Sequence, residues 1–201
     1  PYGELCEAPE CTGKITNIWL GRSDDTVYFR RREGANFTRV SLYAWTPSGE
    51  IKNLVTSDEW FEGCEMGVGA LYCFAENWTG PRRIVSIDLS NGEMVTLVDP
   101  NPEFRNIQFT DVETLTWSGD DGAEAVGHLV YPADYVPGQQ YPLVVVQYRS
   151  RGFLRGGIGD EYPIHVLAAN GFAVLSFDRP DPWEIAATEG DYGSGLQHYQ
   201  P

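Results

Sequence analysis

Apolar and polar positions alternate in short runs through the first half of the chain, and a shift of 43 residues brings one set of runs onto another. Val40-Ser-Leu-Tyr-Ala-Trp45 leads through Thr46-Pro-Ser-Gly-Glu50 into Ile51-Lys-Asn-Leu-Val55. Ile84-Val-Ser-Ile-Asp-Leu89 leads in the same way through Ser90-Asn-Gly-Glu93 into Met94-Val-Thr-Leu-Val98. Period-two alternation on both sides of a glycine turn predicts strand, turn, strand in each copy. A further hairpin precedes each. The first joins Ile18-Trp-Leu20 to Thr26-Val-Tyr-Phe29, and the second joins Cys64-Glu-Met66 to Leu71-Tyr-Cys-Phe74. Four strands in about 43 residues is the period of a β-propeller blade. A β-meander with two similar hairpins is the plainer alternative, but three consecutive features keep one register. Propellers have about 4–8 blades, so two cannot close a ring. The array is expected to continue before Pro1, and the chain reads as a piece of a longer protein.

The pattern changes near residue 100. Asp99-Pro-Asn-Pro-Glu103 has two prolines and no periodicity, which marks a linker. A hairpin follows, Val112 to Trp117 and Ala125 to Tyr131, around Ser118-Gly-Asp-Asp-Gly122. Pro142-Leu-Val-Val-Val-Gln-Tyr148 reads as a strand buried on both faces, as in a parallel sheet. Asp160 to Asn170 reads as a short helix with Ile164, Leu167 and Ala168 on its apolar stripe and Gly171 as its stop. Phe172-Ala-Val-Leu-Ser-Phe177 is a second buried strand. Strand, helix, strand is a βαβ unit. The expected fold is therefore antiparallel β-propeller blades over 1–105, then the N-terminal part of an α/β domain over 106–201.

Composition narrows the function. Of the 201 residues, 42% are hydrophobic and 21% charged, which excludes wholesale disorder. No apolar run approaches the ~18 residues of a membrane-spanning helix. The net charge of −15 repels phosphate backbones, so nucleic acid is not an expected partner. Pro1 is not a start residue and no basic-then-apolar leader is present, so any targeting signal is expected to have been lost.

Four cysteines allow three connectivities. A tight turn at Val68-Gly69 would set 67 opposite 70, 66 opposite 71 and Cys64 opposite Cys73. Opposed strand positions have Cβ atoms about 4.5–5.5 Å apart, near disulfide reach. Cys6–Cys11 and Cys64–Cys73 are thus expected as local disulfides, with four reduced, buried thiols as the alternative. Bonded pairs would place the protein in an oxidising compartment. Neither spacing resembles a zinc site, and no metal or cofactor is expected.

Candidate chemistry is sparse. No Gly-x-Ser-x-Gly nucleophile elbow occurs, and Tyr192-Gly-Ser194-Gly lacks the first glycine. His128, His165 and His198 have no motif partners and are read as structural or solvated. Asn36-Phe-Thr and Asn77-Trp-Thr fit the glycosylation sequon, a weak signal. One segment stands out, Tyr148-Arg-Ser-Arg-Gly-Phe-Leu-Arg-Gly-Gly-Ile-Gly-Asp-Glu-Tyr-Pro163. It follows the C-terminal end of a parallel strand, where open α/β sheets place ligands. It carries Arg149, Arg151 and Arg155 in an acidic chain, and its glycines at 152, 156, 157 and 159 could turn backbone amides toward an anion or oxyanion. A flexible loop whose arginines pair with Asp160 and Glu161 is the alternative.

A propeller running into an α/β-hydrolase domain resembles the prolyl oligopeptidase family of serine peptidases. The match is carried by Ser118-Gly-Asp-Asp-Gly, His128-Leu-Val-Tyr-Pro132, Tyr141-Pro-Leu-Val-Val-Val-Gln-Tyr148 and Leu167-Ala-Ala-Asn-Gly-Phe-Ala-Val-Leu175. The resemblance implies that Tyr148 donates its hydroxyl to the oxyanion, as in the family's dipeptidyl peptidases. Two segments depart from the usual family pattern: Tyr148-Arg-Ser-Arg-Gly152, in place of a His-Gly-Gly-Pro or Tyr-Ala-Gly-Pro loop, and Phe177-Asp-Arg-Pro180. Both departures look like the lasso peptide isopeptidases. That likeness implies a threaded peptide as substrate and, if both cysteine pairs are bonded, a bacterial periplasmic or secreted location. From the residues alone, Arg149, Arg151 and Arg155 are candidate clamps for substrate carboxylates or carbonyls. The family's serine, aspartate and histidine are expected in the remainder of the protein's own chain, which leaves this segment catalytically silent alone. A propeller-containing module that binds peptides or a partner protein without chemistry is the other reading, and a Gly-x-Ser-x-Gly motif beyond Pro201 would decide between them.

Overall fold

Alternating side chains and glycine turns form β-sheet as expected. The structure is a computed structural model that describes residues 6–22, 25–34, 37–118, 124–148, 150–153 and 162–178. The chain divides into two compact units, Pro1–Ile107 and Gln108–Pro201.

The first unit holds two four-stranded antiparallel sheets, each a meander in sequence order. The first is β1 (Lys14–Leu20), β2 (Val27–Glu33), β3 (Arg39–Trp45) and β4 (Ile51–Ser57). The second is β5 (Trp60–Met66), β6 (Ala70–Glu76), β7 (Arg83–Asp88) and β8 (Met94–Val98). These are the two blades read from the repeat. Short 3₁₀ turns lie at Pro9–Cys11 and Pro102–Asn106.

A shared apolar core joins the two sheets. Val40 and Leu42 of the first, with Phe61, Leu71, Val85 and Ile87 of the second, are all at 0% exposure in one cluster. Arg30 is only 4% exposed. Its guanidinium lies 5.1 Å from the Trp60 ring centroid and 5.7 Å from that of Phe61, while Nη1 donates to Thr16 Oγ1 at 2.8 Å. A planar cation stacked on aromatic rings tolerates burial between sheets better than a lysine would. The two repeat turns differ at one point. Gly49 faces open space, but a Cβ on Gly92, at φ +78°, would meet the Leu54 carbonyl oxygen at 1.9 Å. The second turn is thus seated against the backbone of β4, where Lys52 Nζ also donates to the Ser90 carbonyl at 3.1 Å.

Both expected disulfides are present. Cys6 bonds Cys11, and Cys64 bonds Cys73 with sulfurs 2.04 Å apart. The turn is the expected one, since Gly67 N–H donates to the Ala70 carbonyl at 2.9 Å and Met66 pairs with Leu71. A bulge that alternation does not reveal interrupts the ladder between Glu62 and Glu65. Gly63 takes φ +60° there, and the slip still leaves Cys64 beside Cys73, both buried.

The second unit carries a mixed four-stranded sheet of order β11-β12-β10-β9. Its strands are β9 (Val112–Ser118), β10 (Glu124–Val130), β11 (Leu143–Tyr148) and β12 (Ala173–Asp178). β9, β10 and β12 pair antiparallel, whereas β11 pairs parallel with β12. The helix α1 (Ile164–Ala169) connects the parallel pair. It is shorter than the sequence pattern suggests: Pro163 is its N-cap, and Asp160 lies outside the described residues. Its stop is as expected. Gly171 takes φ +87°, Gly171 N–H donates to the Ala168 carbonyl, and Phe172 N–H to that of Leu167. That pair of bonds is the Schellman arrangement. The expectation that β11 is buried on both faces does not hold among the described residues. Val146 is 5% exposed, but Leu143 and Val145 are 55% and 54% exposed. Its continuous apolar run hides the difference, because Val144 and Val146 alternate with the exposed Leu143 and Val145. No described helix is long and apolar enough to cross a membrane.

The disulfides generate the first prediction. Digestion without reductant is expected to yield Cys64–Cys73 and Cys6–Cys11 linked peptides by mass spectrometry. Replacing Cys64 and Cys73 together by serine should cost about 2–4 kcal/mol, read from urea unfolding midpoints.

Candidate functional site

Parallel pairing places the C-terminal ends of β11 and β12 side by side, with Tyr148 opposite Asp178. Tyr148 closes β11, and the structure describes its backbone only. Beyond the sheet, Arg149 lies outside the described residues, and the chain is next seen at 150–153.

This short segment is tied down at three points. Ser150 is 3% exposed. Its N–H donates to Asp178 Oδ1 and its Oγ donates to the Ser176 carbonyl at 2.8 Å. Arg151 Nη2 donates to Asp178 Oδ2 at 2.6 Å, a pair whose side chains are 26% and 8% exposed. Gly152 takes φ +64°, a conformation that only glycine adopts without strain, and turns the chain. Phe153 then packs against two rings, with centroids 5.9 Å from Phe109 and 5.4 Å from His165. Asp178 is therefore a buried carboxylate that receives one backbone and one guanidinium donor. Buried charges persist when they are paired and hydrogen-bonded in this way.

His128 of β10 belongs to the same buried layer. It is 3% exposed, and its Nδ1 lies 3.3 Å from Thr114 Oγ1. Burial holds its pKa below the ordinary imidazole value, against the opposing pull of the Asp178 charge and a hydrogen bond to the Ser150 backbone. His165 contributes its ring to the Phe109–Phe153 cluster, so both described histidines pack within the unit.

The structure thus brings Tyr148 and Arg151 to one edge of the sheet, with Arg151 turned onto Asp178. Arg155, the glycines at 156, 157 and 159, Ser194 and His198 lie outside the described residues, as does Asn36. Asn77 is described, and its Nδ2 donates to Glu59 Oε1 at 2.8 Å. Sequence reasoning missed Ser150, Ser176 and Asp178 as a set. The one available signal was an acidic residue closing an apolar strand, register-matched to the tyrosine. Among the described residues no three His, Cys, Asp or Glu side chains gather as metal ligands do.

No protein-family model matches the chain. The lasso peptide isopeptidase AtxE2 of Asticcacaulis excentricus is 42% identical over 177 residues, 87% of this chain and 25% of that protein. The chain is homologous to part of that isopeptidase. It spans about a quarter of the curated relative's length. The solved structure of the AtxE2 isopeptidase in its apo form superposes with a TM-score of 0.81 at 41% identity, over 88% of this chain and 27% of that one. A second structure of that isopeptidase, a variant with Astexin3-dC4 bound, gives 0.82 with the same coverage. Dipeptidyl peptidase 4 of Porphyromonas gingivalis gives 0.63 at 19% identity, over 83% of this chain and 25% of that one, a likeness of fold. The fold is that of propeller blades followed by the start of an α/β-hydrolase domain.

The buried histidine sets a pH dependence of stability. In the unfolded chain the imidazole takes up its proton near pH ~6.5, whereas buried His128 stays neutral to lower pH. The unfolded state binds that proton first, so stability is lost as pH falls below about 6.5 toward the folded pKa, and is fully present above it. Urea midpoints compared at about pH 5 and about pH 7.5 should show this slope, and His128→Gln should flatten it.

Proposed function

We propose that the intact protein is a serine hydrolase that cleaves peptide or isopeptide bonds, and specifically a lasso peptide isopeptidase. The observation that carries this reading is the 42% identity to a lasso peptide isopeptidase over 87% of the chain. The peptide-bound structure of that relative supports a peptide as the substrate class. Residues 1–105 serve as part of a propeller that cradles and size-selects the substrate, and residues 106–201 begin the hydrolase domain. The two disulfides favour an oxidising compartment, the bacterial periplasm or the outside of the cell. The residues in hand contain no Gly-x-Ser-x-Gly, so this segment is silent by itself and the nucleophile comes from elsewhere in the protein.

Tyr148 is the catalytic residue of this segment. When a serine attacks the scissile carbonyl, negative charge develops on the carbonyl oxygen, and a neutral phenol can donate a hydrogen bond to it without ionising. Its place at the end of a parallel strand, beside a loop with a left-handed glycine, supports that role. Arg149 and Arg155 are proposed as contacts for substrate carboxylates or carbonyls, and Arg151 as a contact that also serves its own loop. In the intact enzyme Tyr148→Phe removes only the hydroxyl. Turnover on a threaded lasso peptide should fall by ~10²–10³ with KM little changed, because the donor acts mainly in the transition state. A loss confined to KM, or none, would reassign Tyr148 to packing.

A further inference from the structure

The two segments in which this chain departs from the broad family pattern meet each other. Tyr148-Arg-Ser-Arg-Gly152 supplies both donors, and Phe177-Asp-Arg-Pro180 supplies the carboxylate that receives them. We infer that Asp178 is a positioning residue for Tyr148. It acts by clamping the loop base immediately after the tyrosine. The inference rests on the reading of Tyr148 as an oxyanion donor.

The geometry supports a clamp in four ways. Tyr148 and Asp178 are register partners across a parallel ladder, so the carboxylate starts one strand away from the tyrosine's own backbone. Asp178 takes the Ser150 N–H on one oxygen and Arg151 Nη2 on the other, holding two successive residues of the turn. Ser150 Oγ adds a third tie to the strand itself through the Ser176 carbonyl. Phe153 closes the segment against Phe109 and His165. One residue, Arg149, separates the tyrosine from the first clamp point, so the chain is held on both sides of it, by the ladder at Tyr148 and by Asp178 at Ser150. An oxyanion donor must meet its acceptor within a few tenths of an ångström, and a misplacement of about 1 Å can cost ~10²-fold in rate. A side chain that never touches substrate can thus control turnover.

The test uses the intact enzyme and a double-mutant cycle. Asp178→Asn keeps the shape and removes the charge. It should lower kcat by ~10²-fold with KM little changed, and should speed amide exchange at 150–153. On a Tyr148→Phe background the same change should cost little further, since the donor it positions is gone. Arg151→Lys should retain more activity than Arg151→Gln, because it keeps the charge but not the planar fork. If Asp178→Asn does not fold, Ser150→Ala, which removes the hydroxyl tie of the same clamp, carries the same cycle. Additive losses for Asp178→Asn (or Ser150→Ala) and Tyr148→Phe would overturn the inference, as would a change in KM alone, while leaving the oxyanion reading intact. Tyr148→Phe without effect would instead overturn the oxyanion reading beneath it.

Discussion

A carboxylate withdrawn from water must be answered by donors, and in this chain that requirement organises the C-terminal edge of a sheet. Asp178 closes β12 at 6% exposure. Its two oxygens take the Ser150 amide and the Arg151 guanidinium. Without them the buried charge would be costly enough to shift or expose the strand end. With them, a segment rich in glycine and arginine gains a fixed base. In the proposed reading, that fixed base gives Tyr148 the defined position that stabilising an oxyanion requires. Packing and electrostatics converge at the same few residues because parallel pairing has already brought 148 and 178 together.

The blades meet a different demand. Their sheets bury one apolar cluster between them, and two buried charged side chains have partners. Arg30 has aromatic faces and Thr16, and Glu76 at 6% exposure accepts from Arg82 Nη2 at 3.2 Å. The Cys64–Cys73 bond crosses the β5–β6 hairpin where the bulge at Gly63 breaks the regular ladder. A covalent tie there restores the order that the bulge removes.

How much was legible in the sequence follows from the range of each signal. Alternation and glycine turns act within a hairpin, so all eight blade strands were readable, as was the Val68-Gly69 turn that opposes the cysteines. The Schellman stop at Gly171 was readable for the same reason. The bulge at Gly63 was not, since one glycine inside an alternating run has several uses. The exposed alternation of β11 was missed because Leu143 and Val145 are as apolar as Val146; sequence cannot say which neighbour covers which face. The Ser150–Asp178 contact joins residues 28 positions apart. No local periodicity encodes such a contact. Strand-end position and the family resemblance pointed to Tyr148, and neither singled out the carboxylate of Asp178.

The most direct measurement is a crystal structure of the intact protein with a peptidyl boronate or phosphonate bound as a mimic of the tetrahedral intermediate. The account predicts Tyr148 Oη about 2.7–3.1 Å from the oxygen that stands in for the oxyanion, with Ser150 and Arg151 still seated on Asp178. A Tyr148 hydroxyl beyond about 3.5 Å from that oxygen, turned into packing while other donors surround it, would contradict it.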